Sequence, residues 1–268
     1  MPLIPLSSPD DPRIAVYRHV RERDLVGREG RFLAEGEVVV RVLLTKSRFQ
    51  AESLLLEERR VAALEDVLAL HPELPVYVAP QALMNEIAGF PIHRGILAAG
   101  LRGEDLAPDA LLASIEGPAV VVGLEGIANH DNVGGIFRNG AAFGAKAVLL
   151  DPTSCDPLYR KAIRVSVGAA LRVPFARSAS SAAMIESLRR AGFAIFALTP
   201  RPDAKPIEGF AFPERTAFLL GAEGPGLSDA TLDAADERLR IDIESDFDSL
   251  NVAAASAIAL HAARTAGR

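Results

Sequence analysis

The sequence predicts an α/β protein in which a parallel-sheet domain follows a smaller α/β domain. From residue 119 onward, short continuous apolar runs alternate with helical patterns, which is typical of parallel strands covered on both faces. Before that point, shorter strands and helices alternate less regularly. We therefore expect a first domain over 1–103, a linker over 104–118 with a Gly-Pro pair, and a second domain over 119–268.

The periodicity of apolar residues predicts the elements of each domain. In the first domain we expect helices at 14–20, 37–46, 61–70 and 80–88, and strands at 53–56, 76–78 and 95–99. In the second we expect strands at 119–123, 147–150, 194–198, 216–220 and 238–242, with helices near 133–143, 157–170, 180–191, 228–235 and 250–265. Ligands bind such sheets beyond the carboxyl ends of the strands, so the loops there are candidate sites.

Charge gives a mixed indication of the partner. The chain has a net charge of −6, which argues against a nucleic-acid binder because phosphate contacts need Lys and Arg. Two local clusters soften this conclusion, one spread over residues 13–60 and one at Arg160-Lys161-Ala-Ile-Arg164. A basic patch can bind RNA while the whole chain stays acidic.

Composition also limits the compartment and the chemistry. The single cysteine, Cys155, excludes intramolecular disulfides and fits a reducing compartment. The first residues do not have the pattern of a signal peptide, and no apolar run is long enough to span a bilayer. We expect a cytoplasmic protein without membrane contact. The five histidines lack metal-ligand spacing, so no metal is expected.

The first motif, over 129–144, follows the first strand of the second domain and contains Arg138-Asn139. Asn132 is predicted to cap a helix. The residues three and four positions before and after Arg138 are all glycine or alanine, so its guanidinium would emerge from a bare surface open to a ligand. A small-residue helix packed tightly on the sheet, with Arg138 merely solvated, is an equal alternative.

The second motif is Gly221-Ala-Glu-Gly-Pro-Gly226, again at a strand end. Its glycines permit close approach of the backbone to a ligand, and Ser228 is placed to cap the next helix. It is neither a phosphate-binding P-loop nor a dinucleotide fingerprint. A tight turn would explain the glycines, but Glu223 beside a buried strand end needs a partner.

The third motif is Asp248-Ser249-Leu250-Asn251, which leads into an alanine-rich last helix. Asp248 or Ser249 is predicted to cap that helix and satisfy its exposed amides. Taken alone, this segment is explained as an ordinary capped helix. Its meaning comes from its combination with the other two motifs.

Together, in this order, the three motifs resemble those of the SpoU/TrmH branch of the SPOUT methyltransferases. That pattern is Asn-x-Gly-x-x-x-Arg, then Gly-x-Glu-Gly-x-Gly, then Ser-Leu-Asn, and the match covers roughly 119–265. Residues 13–100 resemble, less specifically, the ribosomal-protein-like substrate domain of many members, notably at 30–36. The chain departs from the pattern at Ser245, where the family has glycine, and at Ala253, where serine is frequent.

The resemblance implies a trefoil-knotted C-terminal domain, a rare topology that sequence patterns alone do not predict. It implies a homodimer that binds S-adenosylmethionine largely through backbone groups. Carried over residue by residue, the cofactor-binding set is Leu220, Gly221, Ala222, Glu223, Gly224, Gly226, Ile241, Ile243, Leu250 and Asn251.

The implied reaction is methyl transfer to a ribose 2′-hydroxyl, which makes RNA and not DNA the substrate. The implied catalytic residues are Arg138, Asn132, Glu223, Ser249 and Asn251. Because arginine normally stays protonated, we favour electrostatic stabilisation of the developing alkoxide by Arg138 over a role as general base. The preceding domain favours ribosomal RNA. Candidates for RNA contact are Arg18, Arg21, Arg23 and Arg48, although a solvated surface explains each of them equally well.

Three alternatives stay open at this stage. The chain could methylate transfer RNA, or it could be a knotted protein that holds RNA without catalysis. Retention of Asn132 and Arg138 argues against the second. A nicotinamide dehydrogenase would need a glycine fingerprint and a downstream acidic residue, and the sequence has neither.

Overall fold

The computed structural model describes residues 3–18, 22–89, 92, 95–244 and 249–266. The chain divides into two compact units, Met1–Glu104 with Pro157–Arg172, and Asp105–Asp156 with Val173–Arg268. Residues 157–172, which the sequence assigns to the second domain, thus belong to the first unit. The division into functional domains at 103 and 119 stays a prediction.

Helices and strands alternate along both units. The strands are β1 Leu3–Pro5, β2 Arg31–Glu35, β3 Gln50–Glu57, β4 Val76–Ala79, β5 Ile96–Leu101, β6 Ala119–Glu125, β7 Ala147–Leu150, β8 Phe175–Arg177, β9 Ala194–Leu198, β10 Lys205–Pro206, β11 Arg215–Gly221 and β12 Glu237–Arg240. The helices are α1 Glu22–Gly27, α2 Glu37–Thr45, α3 Glu65–Leu68, α4 Gln81–Ala88, α5 Pro108–Ala113, α6 His130–Phe143, α7 Arg160–Val165, α8 Ser181–Arg190, α9 Asp229–Ala234 and α10 Val252–Ala266.

The first unit is built on a mixed sheet with the order β1-β4-β3-β5-β2 among the described residues. Strands β1, β4 and β3 pair in parallel, whereas β5 runs antiparallel to β3 and to the edge strand β2. The buried Tyr17 anchors the N-terminal segment, because its hydroxyl lies 2.8 Å from Ser53 Oγ and accepts a hydrogen bond from the Ala99 amide at 3.2 Å. This anchoring satisfies a polar group that would be costly to bury alone.

Two helices predicted in the first unit are shorter than expected. The helix predicted at 14–20 is a 3-10 turn over Pro12–Tyr17, and residues 19 and 20 lie outside the described residues. The helix predicted at 61–70 is interrupted at Leu64, whose φ of −118° leaves the helical region while its side chain is fully buried. Strand β2 is not among the strands predicted for the first domain.

Residues 157–172 pack on the edge strand β2 through the helix α7. The buried Glu35 of β2 accepts a hydrogen bond from Arg160 Nη1 at 2.7 Å, and Arg164 Nη1 lies 3.8 Å from the same carboxylate oxygen. The helix predicted over 157–170 ends at Val165 because Val167 and Gly168 adopt left-handed φ values of 54° and 79°.

The second unit is the predicted parallel α/β domain. Its described strands form one sheet with the order β10-β12-β9-β11-β6-β7-β8, and every neighbouring pair is parallel. The central strands β6, β7 and β11 are continuous buried runs, as strands covered on both faces should be. This confirms the predicted fold class, while the trefoil knot stays a prediction.

The predicted linker at 104–118 carries the helix α5 instead. Its Leu111 and Leu112 are buried in the core of the second unit, against residues such as Leu188. The short strands β8 and β10 were not predicted, because an alternation of apolar and polar residues cannot be recognised over two or three residues. Among the described residues, no helix has both the length and the apolar character needed to cross a membrane.

Candidate active site

The first and second motifs lie at the carboxyl ends of the adjacent parallel strands β6 and β11. The third motif leads into α10, the helix that packs along α6. The parallel arrangement therefore brings three segments that are distant in sequence to one edge of the sheet.

The first motif forms the start of α6, but its cap differs from the prediction. Asn129 caps the helix, and its side-chain oxygen accepts a hydrogen bond from the Asp131 amide at 2.8 Å. The prediction that Asn132 is the cap was wrong, since Asn132 lies inside the first turn and is only 4% exposed. A buried amide inside a helix must find partners elsewhere.

The second motif is a tight loop held by its own backbone. The amide of Gly226 donates to the carbonyl oxygen of Ala222 at 2.9 Å, and Gly224 and Gly226 have positive φ values of 85° and 72°. A Cβ atom added to Gly221 would lie 2.2 Å from the backbone of Gly226 and Leu227. Glycine is therefore required at 221 by close approach within the loop itself.

The loop continues into α9 through a second set of capping contacts. Ser228 caps α9 as predicted, accepting a hydrogen bond from the Thr231 amide at 3.3 Å. Glu125, at the end of β6, accepts from the Ser228 amide at 3.0 Å and from the Thr231 hydroxyl at 2.5 Å. These contacts fix the second motif against the strand that precedes the first motif.

Asn251 joins all three motifs. Its side-chain amide donates one hydrogen bond to Asn132 Oδ1 and one to Glu223 Oε1, both at 2.9 Å. Its Oδ1 accepts hydrogen bonds from the amides of Ala253 and Ala254 at 2.9 and 3.3 Å. Every donor of the amide group is thus used. Asn251 is therefore the hydrogen-bond partner that Glu223 requires at the strand end.

The same contacts correct the predicted cap of the last helix. Asn251, not Ser249, satisfies the first amides of α10, and Asp248 lies outside the described residues. Asparagine is among the best capping residues, so this arrangement is locally stable. Ser245, the other departure from the family pattern, also lies outside the described residues.

Arg138 is exposed on α6 and makes no hydrogen bond or ion pair with any residue that the structure describes. The predicted bare surface beside it is partly wrong. A Cβ atom at Gly135 would lie 2.7 Å from Ala253 Cβ, so α10 covers that side of the helix. Gly135 therefore serves packing against α10, whereas the alternative interpretation placed the packing on the sheet, and Arg138 itself is exposed.

A cavity of about 430 Å³ opens beside these loops. All ten residues predicted to bind the cofactor line it, and so does Ser249. Its walls also include residues that sequence reasoning missed, namely Leu198, Thr199, Pro200, Leu239, Val252 and Ala255. The first three lie at the carboxyl end of β9, beside β11, where the pairing of the strands would have indicated them.

Asn139 lies in the first motif, and the sequence alone assigns it no role. In the structure it links two helices. Its side-chain amide donates to the Ala253 carbonyl at 2.7 Å and to Ser256 Oγ at 2.9 Å. It therefore ties α6 to α10 at the position next to Arg138. A polar residue on an otherwise small-residue helix was the available signal.

Asp151 organises the loop that follows β7. Its carboxylate accepts hydrogen bonds from the hydroxyl of Ser154 at 2.6 Å and from the amides of Ser154 and Gly126 at 2.8 and 3.1 Å. Burial alone would raise the pKa of Asp151, but these hydrogen bonds and one from Thr153 outweigh it and lower that pKa. The loop leading into α6 is thereby held to the loop after β7.

The neighbouring Cys155 is a poor nucleophile, because burial raises the pKa of its thiol to about 12. Among the described residues, no group of three His, Cys, Asp or Glu side chains is arranged to hold a metal ion.

The arginines predicted to contact RNA have different surroundings. Arg18 Nη2 donates a hydrogen bond to the Asp11 carbonyl oxygen at 2.6 Å and so stabilises the turn in which both residues lie. Arg48 is exposed, with its guanidinium 4.2 Å from the centre of the Phe49 ring. Arg21 and the side chain of Arg23 lie outside the described residues. RNA contact by these four residues stays a prediction.

The fold and the cavity together define the class of protein. It is a parallel α/β protein with a ligand-sized cavity at the carboxyl edge of its sheet. The sequence profile described as the SpoU rRNA Methylase family matches residues 119–261. The chain belongs to this family.

Relatives agree with this assignment over most of the chain. A protein of Mycobacterium tuberculosis named "uncharacterized tRNA/rRNA methyltransferase" is 41% identical over 94% of this chain and 88% of its own length. A Burkholderia protein named 23S rRNA (guanosine-2′-O-)-methyltransferase RlmB is 29% identical over 72% of this chain and 78% of its own.

Solved structures share the fold of the whole chain. The AdoMet-bound rRNA methyltransferase of Sinorhizobium meliloti has a TM-score of 0.79 and 20% identity, with 98% of both chains covered. The SpoU methyltransferase AviRb of Streptomyces viridochromogenes, in complex with AdoMet, has a TM-score of 0.78 and 22% identity, with 95% of this chain and 97% of its own covered. At these identities the likeness shows the fold.

Proposed function

We propose that this chain transfers a methyl group from S-adenosylmethionine to a ribose 2′-hydroxyl of structured RNA, namely ribosomal RNA. The observation that carries the proposal is Asn251, which hydrogen-bonds Asn132 and Glu223 and so assembles the three family motifs beside one cavity. Membership of the SpoU rRNA Methylase family supports the reaction, and the ribosomal-RNA ribose specificity named for the Burkholderia relative supports the substrate.

The cavity fits the proposed cofactor in size and lining. Its volume of about 430 Å³ falls within the range typical of small-molecule sites. Leu220, Leu239 and Ile241 offer apolar contact for an aromatic base, and the backbone of the 221–226 loop offers hydrogen-bonding groups. The AdoMet complexes of two proteins with this fold support the same cofactor.

The bound cofactor would supply an activated methyl group on a positively charged sulfonium; transfer to the ribose oxygen would break the sulfur–methyl bond, leave a neutral thioether and release the hydroxyl proton to solvent. The chain must then place the hydroxyl in line and favour loss of its proton. We assign this task to Arg138 of the first family motif, whose guanidinium is exposed and makes no ion pair with a described residue. In our proposal its guanidinium stabilises the developing alkoxide and binds the adjacent phosphate through its two-pronged donor face.

The other motif residues position rather than react. Asn251 holds the Glu223 carboxylate in the loop and fixes the first turn of α6 through Asn132. Arg138 lies on that same helix, so its direction depends on this turn. Ser249 and Leu250 line the cavity between the cofactor loop and α10. We also propose the homodimer and the cytoplasmic location, which light scattering of the purified protein and cell fractionation would test.

A labelled-methyl assay tests the proposal directly. Purified protein is incubated with methyl-labelled S-adenosylmethionine and, in separate reactions, with ribosomal or transfer RNA. We expect label in ribosomal RNA and in dinucleotides that survive alkali, since a methylated 2′-oxygen cannot attack the neighbouring phosphate. Label in transfer RNA alone would support that alternative substrate. Cofactor binding without transfer would support the non-catalytic alternative, and no binding in calorimetry would overturn the assignment.

A further inference from the structure

The first unit carries a basic surface to which the second domain of the sequence contributes. Residues 157–172 lie in the first unit and contain four basic side chains and no acidic one, in a chain whose net charge is −6. The Arg48 amide donates to the Leu171 carbonyl at 3.2 Å, which brings Arg48 beside Arg172. We define the basic surface as Lys46, Arg48 and Arg172; Lys161 and Arg164 lie on the preceding helix α7.

The turn that presents this surface is rigid. Val167 is held at a φ of 54°, and the next residue, Gly168, packs so closely that an added Cβ would lie 3.1 Å from Val42 of α2. Ser166 Oγ donates to the Ile163 carbonyl at 2.9 Å and accepts from the Ala170 amide at 3.2 Å. A β-branched residue in the left-handed region persists only when its surroundings enforce it.

The buried Glu35 fixes the other end of the segment. It binds Arg160 at 2.7 Å and lies 3.8 Å from Arg164, so the carboxylate turns the start of α7 onto β2. Lys161, the neighbour of Arg160, is exposed, and so is Arg164. The charge of this helix is therefore presented outward around one internal anchor.

Lys46 and Arg172 differ from most cations of the chain. Several exposed arginines elsewhere pair with carboxylates, as Arg190 does with Asp109 at 2.8 Å and Arg201 with Asp229 at 2.5 Å. Lys46 and Arg172 are exposed and form no ion pair with a residue that the structure describes. Arg48, beside them, has its guanidinium plane supported by the Phe49 ring at 4.2 Å.

We propose that the basic surface is where the phosphate backbone of the substrate RNA docks on the first unit. Repeated phosphates fit a set of exposed cations on a rigid turn, since phosphate contacts set position and affinity without reading sequence. The inference rests on the proposed function, because it names the surface that holds the RNA whose ribose is methylated. By this proposal, residues 157–172 contribute to RNA binding by the first unit, in which they lie.

Charge removal tests this surface. The variant is Lys46→Ala/Arg48→Ala/Arg172→Ala, and the control is Arg13→Ala/Arg59→Ala/Arg60→Ala, which removes the same charge from the same unit. Binding to a labelled ribosomal-RNA hairpin is followed by anisotropy from 50 to 300 mM salt. We expect roughly tenfold or more loss of affinity, and a slope of log affinity against log salt shallower by about 3, in the variant alone.

Further measurements separate the possible failures. Cofactor affinity and turnover at saturating RNA should stay near wild type, while KM for RNA rises. Lys46→Arg/Arg172→Lys should keep the affinity, because it conserves charge. If the wild type binds RNA and transfers methyl while the triple variant keeps wild-type affinity and slope, the surface is overturned and the proposed function stands. If the wild type neither binds RNA nor transfers methyl, both fail.

Discussion

Glu35 and Asn251 each hold distant segments of the chain together, but they differ in burial and charge. Glu35 is a carboxylate that is only 3% exposed and ties residues 157–172 to β2 through Arg160. Asn251 is an exposed, neutral amide that ties the third motif to Asn132 and Glu223. One lies within the first unit, and the other lies at the edge of the cavity in the second.

The difference in burial and charge indicates the role of each contact. Removing one partner of a buried ion pair strands a charge without water, so its loss must lower the stability of the fold. An exposed amide can exchange its own partners for water at little cost, so its loss should lower stability less than loss of Glu35 does, and mainly because the buried Asn132 loses its donor. Changes at the cavity edge should therefore reduce methyl transfer, and changes at Glu35 should reduce stability.

Arg138 gives the most severe test of the functional half of this comparison. Arg138→Ala should lower kcat for methyl transfer by roughly 10²–10³, the effect typical of removing a group that stabilises developing charge. Arg138→Lys should recover only part of the activity, because an ammonium lacks the two-pronged geometry. The melting temperature should stay unchanged, since the side chain has no partner among the described residues.

Single-turnover assays with excess enzyme would measure this effect apart from product release. Lys146→Ala removes another exposed cation of the second unit and serves as the control. Near-normal turnover in Arg138→Lys would contradict a need for the guanidinium geometry.

Glu35 tests the prediction that the buried contact contributes to stability. Glu35→Ala should lower the free energy of unfolding by about 3 kcal/mol, at the low end for buried pairs because Arg160 is 26% exposed. Urea unfolding followed by circular dichroism would measure it, since the chain has no tryptophan. Glu37→Ala removes the half-exposed carboxylate that pairs with Arg41 and should cost about 0.5 kcal/mol or less. Equal losses in the two variants would remove the distinction between buried and exposed contacts.

Asn251 allows the two roles of one side chain to be separated. Asn251→Ser keeps a good cap for α10 but removes the amide that donates to Asn132 and Glu223. We expect methyl transfer to fall roughly tenfold and the free energy of unfolding to fall by about 1 kcal/mol, because the buried Asn132 loses the donor to its Oδ1. Asn251→Ala should lose similar activity and, in addition, about 1 kcal/mol of stability through the lost cap. Unchanged transfer in the serine variant would mean that the link between motifs has no part in catalysis.

Most of the parallel sheet could be predicted because its strands are continuous apolar runs bounded by turns. The strand expected at 147–150 and the end of β11 at Gly221 are examples. Helix ends were less predictable, since they depend on tertiary contacts. Asn129 rather than Asn132 caps α6, and Val167 ends the helical run after α7 through a backbone angle that no propensity indicates.

The site was partly predictable for a similar reason. Residues of the glycine loop were found from motifs, whereas Thr199 and Pro200 line the same cavity from the end of β9 without any motif. The contact between Asn251 and Asn132 joins positions far apart in sequence, and only the order of the strands brings them together. The membership of residues 157–172 in the first unit depends on Glu35, whose partners no local pattern reveals.

Asp151 sharpens the comparison, because it is a buried carboxylate like Glu35 but lies in the unit that carries the cavity. Hydrogen bonds from Ser154, Thr153 and two backbone amides lower its pKa in the folded state below that in the unfolded chain. Its stabilising effect is therefore complete above the unfolded pKa of about 3.9 and is lost as pH falls through the lower, folded pKa.

Asp151→Asn should consequently reduce the free energy of unfolding by about 1 kcal/mol at pH 7, since a neutral amide accepts these hydrogen bonds less strongly. The difference from wild type should shrink as pH falls below about 3.9, where the carboxylate of the unfolded chain takes up its proton first. Urea unfolding at pH 7, 5, 4 and 3 would measure this convergence. A difference that stayed constant over the whole range would show that shape, and not the charge of the carboxylate, holds the loop before α6 in place.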